Sequence, residues 1–156
     1  MEQNSDISSI EETLKKYIQN GYSIIGCGND IYGHTFYAAE MSGSIYLVNQ
    51  VNSPFNSVAR LHYRFNIKNK YEKTIELQDI QIGLNDTNKG YGSILLKSLI
   101  NLAKKLDVEY IYGSFSLVDE DTEEHIKRRR YFYEKFGFEI KGRSIKLYRK
   151  DFDQKS

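Results

Sequence analysis

The stretch NDTNKGYGSILLKSL, residues 85–99, places Gly90 and Gly92 on either side of Tyr91, with Lys89 in front and a run of helix formers behind. A strand that ends in such a turn and runs into a helix presents consecutive backbone N–H groups to an anion. The first-turn amides have no intrahelical partner, and the helix dipole adds partial positive charge. Glycine lets the backbone approach a ligand closely or take positive φ, and Lys89 contributes a charge. The chemistry on offer is phosphate binding. The same residues also read as a polar loop, in which Asn85, Asp86, Thr87 and Asn88 serve as loop and cap residues and the glycines relieve crowding. The Gly-Lys-Ser/Thr ending of a P-loop is missing, as is the third glycine of a dinucleotide fingerprint.

Other reactive side chains form no constellation by spacing. Cys27 is the single cysteine, which excludes an intramolecular disulfide and any multi-cysteine metal site. It reads as a small buried strand residue. His34, His62 and His125 lack ligand spacing, so no metal is expected. The basic run HIKRRR, with Arg128, Arg129 and Arg130, follows directly on DEDTEE. On one helix the two runs make a solvated dipolar surface, or a face for an acidic acceptor or a cofactor phosphate. A formal net charge of +1, from 22 basic and 21 acidic side chains, gives no reason to expect nucleic acid or an anionic membrane as partner.

These residues need elements to hold them. A length of 156 residues, 40% of them hydrophobic, fits one domain with a real core, and one proline (Pro54) with no Ser/Gly-rich linker leaves 1–156 undivided. The N-terminal residues lack the apolar segment of a signal peptide, and no apolar run is long enough to span a bilayer; a reducing, cytoplasmic compartment is the expectation. Ile7, Ile10, Leu14, Tyr17 and Ile18 recur at helical spacing after a cap at Ser5 or Asp6, until Gly21. Short apolar or alternating runs follow at 22–28, 31–40, 43–51, 57–67 and 73–83. They read as strands, the first four in an antiparallel meander because their connections are too short for crossovers. From Gly92 the period is helical again, with an apolar stripe of Ile94, Leu95, Leu99, Leu102, Ala103 and Leu106. A strand at 108–117 then completes a strand–helix–strand unit and hence a parallel pair. A helix over 119–137 ends at Gly137, and a hairpin turns near Gly142. The fold class expected is α+β, with a mixed, mostly antiparallel central sheet flanked by helices.

In combination the motifs resemble a known superfamily. IQIGLNDTNKGYGSILLKSL is similar to the acyl-CoA-binding motif of the GNAT N-acetyltransferases, R/Q-x-x-G-x-G/A after a strand, and YFYEKFGFE resembles their later tyrosine-bearing helix and Gly-Phe turn. The likeness covers roughly residues 73–141; the N-terminal half matches only in its order of elements. The superfamily's Arg or Gln falls on Thr87, and a further glycine usual in its loop falls on Asn88, while Gly90 and Gly92 keep the glycines of the motif as written. The resemblance implies acetyl-CoA as co-substrate, its pyrophosphate on the amides of Asn88, Lys89, Gly90, Tyr91, Gly92 and Ser93, with Thr87 also at the cofactor, and its pantetheine arm along Ile80, Gln81 and Ile82. It implies Tyr133 as general acid for the leaving thiolate, a role that a phenol pKa of about 10 suits. Glu76 is the best candidate base: it shares one face of its strand with Gln78, Ile80 and Ile82, and some members place a glutamate there. Asp79 is a weaker candidate. The acceptor implied is a small-molecule or peptide amine, with a homodimer through the closing hairpin compatible. The alternative is a non-catalytic acyl-CoA-binding or interaction module.

Overall fold

The computed structural model describes residues 2–115 and 122–153, with side chains from Ser9 onward. In chain order the elements are α1 (Glu2–Gln19), β1 (Ser23–Asn29), β2 (Thr35–Met41), β3 (Ser44–Val48), β4 (Ala59–Ile67), β5 (Lys73–Ile82), α2 (Tyr91–Leu106), β6 (Tyr110–Ser114), α3 (Glu123–Lys135), β7 (Glu139–Lys141) and β8 (Ser144–Tyr148). The strands form one sheet in the order β1-β2-β3-β4-β5-β6-β8-β7. β5 and β6 pair in parallel, as expected of a strand–helix–strand unit, whereas the β1–β2, β2–β3, β3–β4, β6–β8 and β7–β8 ladders are antiparallel. The α+β class with a mostly antiparallel sheet is therefore as expected. The described chain falls into two compact units, residues 1–62 with 79–102 and residues 63–78 with 103–156.

All three helices stop in the same way. Tyr22 N–H donates to Tyr17 O and Gly21 N–H to Ile18 O; Val108 and Asp107 repeat the pair on Ala103 and Lys104; Phe138 and Gly137 repeat it on Tyr133 and Glu134. This is the Schellman closure, which needs a left-handed residue just past the helix. Gly21 (φ 100°) and Gly137 (φ 95°) supply it, and both were legible as stops. Asp107 (φ 57°) supplies the third. The apolar contact that accompanies the motif is present as ring pairs, Tyr17–Tyr22 at 5.9 Å and Tyr133–Phe138 at 5.3 Å.

In the first unit, α2 lies on the face of the sheet that carries Gly26, Ala38 and Leu47, which are aligned across β1, β2 and β3. A Cβ on Gly26 would come within 2.3 Å of Ser98 Oγ, and one on Gly28 within 2.9 Å of Ile94 Cγ1. The two glycines are there because α2 rests directly on the β1 backbone. Cys27, between them, points to the other face and is exposed rather than buried as its type suggested. On that opposite face Tyr22 meets Tyr46, edge on at 6.3 Å.

In the second unit, Ile75, Ile111 and Leu147 stand in register across β5, β6 and β8 and are fully buried, as is Ile145 at 3% exposure. α2 is buried more widely than the expected stripe: Leu96, Ile100 and Ser98 join Ile94, Leu95, Leu99 and Ala103.

Several boundaries moved for local reasons. The helix α1 begins at Glu2, so Ser5 and Asp6 lie inside it instead of capping it. The strand expected from Ile31 starts at Thr35, because residues 30–34 close into a hydrogen-bonded turn. β3 ends at Val48, where the Asn49 side-chain oxygen Oδ1 accepts from the amides of Val51 and Asn52. Residues 116–117 of one expected strand and 119–121 of the expected helix lie outside the described residues; α3 itself is capped by Thr122, whose hydroxyl accepts from His125 N–H.

Candidate functional site

The glycine turn has the geometry of an anion cradle. After β5 the chain makes a short 3-10 turn at Leu84–Asp86, passes through Thr87 in an extended conformation (φ −69°, ψ 152°) and then takes left-handed φ at Asn88 (61°) and Gly90 (91°). α2 follows at once, and Ile94 N–H donating to Gly90 O at 3.3 Å is the bond that opens its ladder. The amides of Tyr91 and Gly92 therefore precede the ladder, at the positive end of the dipole. Asn88 stands where a glycine is usual because asparagine tolerates the left-handed region better than other side chains. Lys89 Nζ lies 3.5 Å from Asp86 Oδ1, so part of its charge is spent within the loop.

Tyr91, expected beside the ligand, turns its side chain inward. It is 5% exposed, packs edge-on against Phe36 at 5.1 Å, and donates its hydroxyl to Asp30 Oδ2 at 3.2 Å. Its contribution to a ligand would be its amide. Burial first, then the bond to Asp30 and the charges of Asp30 and Asp86, push its phenol up to about 12.

Asp30 falls between the strands expected at 22–28 and 31–40, and the structure gives it more than a connecting role. Its side chain is 1% exposed. Oδ1 accepts from the amides of Tyr32 and His34, each at 2.9 Å, and Oδ2 from Tyr91 and from His34 Nδ1 at 3.2 Å. Burial works to raise its pKa, but the two amides, the His34 ring and the Tyr91 hydroxyl together hold the carboxyl below the usual carboxylate range. The sequence signal was a Gly-Asn-Asp run between two strands, which announces a turn and nothing further.

β5 provides the expected edge. The β5–β6 ladder runs from Thr74–Tyr110 to Leu77–Gly113, and β5 continues to Ile82. Among the described residues, Ile80, Gln81 and Ile82 thus lie beyond the last β6 pair, where their main chain can serve an extended ligand. The Gln81 side chain donates to Asp79 Oδ2 at 2.8 Å.

The two acid–base candidates belong to the second unit. Glu76 is half-buried, in register with Tyr112, and accepts from Gln78 Nε2 at 3.4 Å. Ile75 and Leu77 are buried on the other face of β5, so Glu76 faces away from the core. Tyr133 is 9% exposed and lies among Phe115, Phe132 and Phe138, with ring centroids at 5.6, 5.0 and 5.3 Å. Its place is fixed by the helix closure described above, which needs an apolar body at that position. Arg128 pairs with Glu124 at 3.7 Å on the exposed face of α3.

Each unit also carries an open cleft. One of about 450 Å³ is lined by Ile10, His34, Thr35, Tyr37 and Asn49 in the first unit. One of about 310 Å³ is lined by Tyr112, Glu139, Lys141, Ser144 and Tyr148 in the second. Among the described residues no group of three or more His, Cys, Asp or Glu is placed to hold a metal ion. Among the described residues no helix is long and apolar enough to cross a membrane.

The sequence matches no family profile and no curated protein. The fold, by contrast, has many solved counterparts. The chain aligns with a subunit of the NatC complex bound to Gag peptide and CoA (TM-score 0.55, 10% identity, 67% of this chain and 70% of that one). It aligns with Naa50 of Arabidopsis thaliana in complex with the bisubstrate analogue CoA-Ac-MVNAL (0.50, 19%, 67% and 71%). It also aligns with a GNAT-family acetyltransferase of Desulfovibrio desulfuricans described as putative (0.50, 15%, 68% and 69%). Three such likenesses at low identity agree with one another and with the motif order in the sequence: the chain has the fold of the GNAT acetyltransferases.

Proposed function

We propose that residues 1–156 act as one acetyltransferase domain that moves an acetyl group from acetyl-CoA to a primary amine by direct attack. The observation that carries this reading is the cradle: a strand end, left-handed backbone at Asn88 and Gly90, and the N-terminus of α2 in immediate succession. The amides of residues 88–93 bind the pyrophosphate, with Thr87 beside them, and the main chain of Ile80, Gln81 and Ile82 holds the pantetheine arm. The departures at Thr87 and Asn88 are compatible with this, because a cradle made of main chain does not depend on the side chains that line it.

In the transfer the neutral amine nitrogen bonds to the thioester carbonyl carbon, and the C–S bond breaks as the tetrahedral species collapses. Tyr133 protonates the departing thiolate, and Glu76 or a chain of water takes the proton from the amine. No covalent intermediate on the protein is required. The acceptor class is a small-molecule or peptide amine; the Gag peptide of the NatC complex and the peptide portion of the Naa50 analogue support the peptide side of that choice. We place the reaction in the cytoplasm, without a metal, nucleic acid or membrane, and with pairing across β7, the edge strand of the closing hairpin, as the route to a homodimer.

A second reading is an acyl-CoA-binding module without turnover. What favours it is the enclosure of Tyr133 by three aromatic rings, which is also what a purely structural tyrosine would show.

Calorimetric titration with acetyl-CoA, beside a folded Gly90→Asp/Gly92→Asp double variant, tests the cradle. Micromolar binding by the wild type that the variant loses is the expected result. Binding with no thiol release across an amine panel would favour the module. No binding by the folded wild type would remove both readings.

A further inference from the structure

We infer that Asp30 is a positioning residue of the acetyl-CoA cradle, clamping the entrance of α2 through Tyr91 and so setting cofactor affinity. The inference rests on the reading of the glycine turn as that cradle. The β1–β2 turn is rigid by its own bonds: Asp30 N–H donates to His34 O at 2.9 Å, and Gly33 N–H, at φ 83°, to Asp30 O at 3.1 Å. It grips the cradle at two points. Ile31 N–H donates to Lys89 O at 3.1 Å, and Asp30 Oδ2 accepts from the Tyr91 hydroxyl at 3.2 Å. These points straddle Gly90, whose added Cβ would lie 4.0 Å from Asn29 O. The residue that starts the helix and the residue before the left-handed glycine are thus both held from one turn.

A buried carboxylate is a poor device for stability alone, since well-packed apolar residues of similar volume often do as well. It is a good device for direction. Four donors converge on its two oxygens, and each fixes one neighbour in orientation. Of the residues so fixed, Tyr91 belongs to the run of amides that would meet the pyrophosphate, and an anion site loses affinity when its donors are not held in place beforehand.

The chemistry of Asp30 allows a selective break. In Asp30→Asn the side-chain oxygen still accepts from the amides of Tyr32 and His34, which keeps the turn, while the NH2 group faces the Tyr91 hydroxyl and the His34 ring. Tyr91→Phe removes the same bond from the other side and keeps the ring on Phe36. The experiment measures acetyl-CoA affinity by calorimetry for the wild type, each variant and the double variant, with hydrogen exchange of the amides of residues 89–93 in the ligand-free protein. Val108→Ala, a core change in the second unit, serves as the control for general destabilisation.

Each single variant is expected to bind about tenfold more weakly, the loss of one hydrogen bond to a charged group. The double variant should be no weaker than the singles, because all three lack the bond from the Tyr91 hydroxyl to a carboxylate, the NH2 group introduced by Asp30→Asn being able only to donate. Exchange at 89–93 should quicken in each, while Val108→Ala leaves both readouts as in the wild type. Wild-type affinity in Asp30→Asn and Tyr91→Phe would overturn the inference and leave the cradle standing. Unchanged exchange at 89–93 would overturn the clamp whatever the affinities. Failure of the wild type to bind acetyl-CoA would remove the cradle, and the inference with it.

Discussion

The unit formed by residues 1–62 and 79–102 and the unit formed by residues 63–78 and 103–156 do their proposed work with different parts of the polypeptide. In the first, the proposed site is main chain: two left-handed residues, the unladdered amides of α2 and the run of β5 beyond its β6 pairs, with the buried Asp30 carboxylate bonded to Tyr91 at the helix entrance. In the second, it is side chain: a phenol among aromatic rings on α3 and a carboxylate on the outer face of β5. The difference teaches where sequence change is tolerated. A main-chain site needs conformations, and several residue types can adopt them, as Asn88 does in place of glycine. A side-chain site needs a particular functional group. The first unit should therefore survive substitutions that keep its backbone, and the second should not survive loss of one hydroxyl.

The sharpest way to test that contrast is Tyr133→Phe. Packing against Phe115, Phe132 and Phe138 is retained, so acetyl-CoA affinity of the folded variant should hold, while turnover falls by about 10²–10⁴-fold, the usual worth of a general acid. Stopped-flow detection of the released thiol gives the rate, and unchanged turnover would return Tyr133 to a purely structural role. Next in size is Gly28→Val. Its side chain would press on Ile94 beneath the entrance of α2. Overpacking of this kind costs about 1–3 kcal/mol. Chemical denaturation should register that loss, together with weaker acetyl-CoA binding; a valine accommodated at no cost would mean that α2 does not rest on β1.

A smaller effect concerns pH, and its sign follows from the protonated form each state prefers. Tyr91 has its pKa raised in the folded protein, so its contribution to stability is fully present below the ordinary phenol value of about 10 and is lost as pH rises through about 12. Asp30 is lowered, so its contribution is present above the ordinary carboxylate value and is lost as pH falls through its depressed native pKa. Because the chain has 13 tyrosines, the informative quantity is a difference. Denaturation of the wild type minus that of Tyr91→Phe should narrow between pH 10 and 12, and a flat difference would contradict the Tyr91–Asp30 bond. The least effect is expected of Thr87→Ala. Thr87 has ordinary extended φ and ψ and lies in the main-chain cradle, so acetyl-CoA affinity should change by less than about threefold. A larger loss would show that the first unit, too, depends on a side chain.

Much of this was legible beforehand. The periods of two and of three to four located α1, α2 and β1 to β6 to within a few residues, because each buries one face and the side chains must repeat with the backbone. The turn at 85–93 and the helix stop at Gly137 were readable because glycine marks places where other residues are strained. The strand starting at Thr35 was misread from Ile31, since nothing local in that run distinguishes a strand from a turn closed by an aspartate. Cys27 was misjudged because its neighbours, not its own type, decide which face it takes. Gly26 and Gly28 carried a signal, an isolated glycine in a strand pattern, whose meaning depends on what lies above the strand.

The sequence by itself determined the order and nature of the elements, the glycine turn and the polar and apolar faces, all of which follow from conformational preference and repeat over a few residues. Only the tertiary structure decided that Asp30 and Tyr91, 61 positions apart, share a hydrogen bond. It alone showed that α2 lies against the bare backbone of β1, and that Tyr133 is enclosed by rings from Phe115 and Phe138 as well as its own helix. The reason is range. Hydrogen bonding and burial are satisfied by whichever group packing brings near, and a linear pattern records what each residue prefers but not which partner it meets.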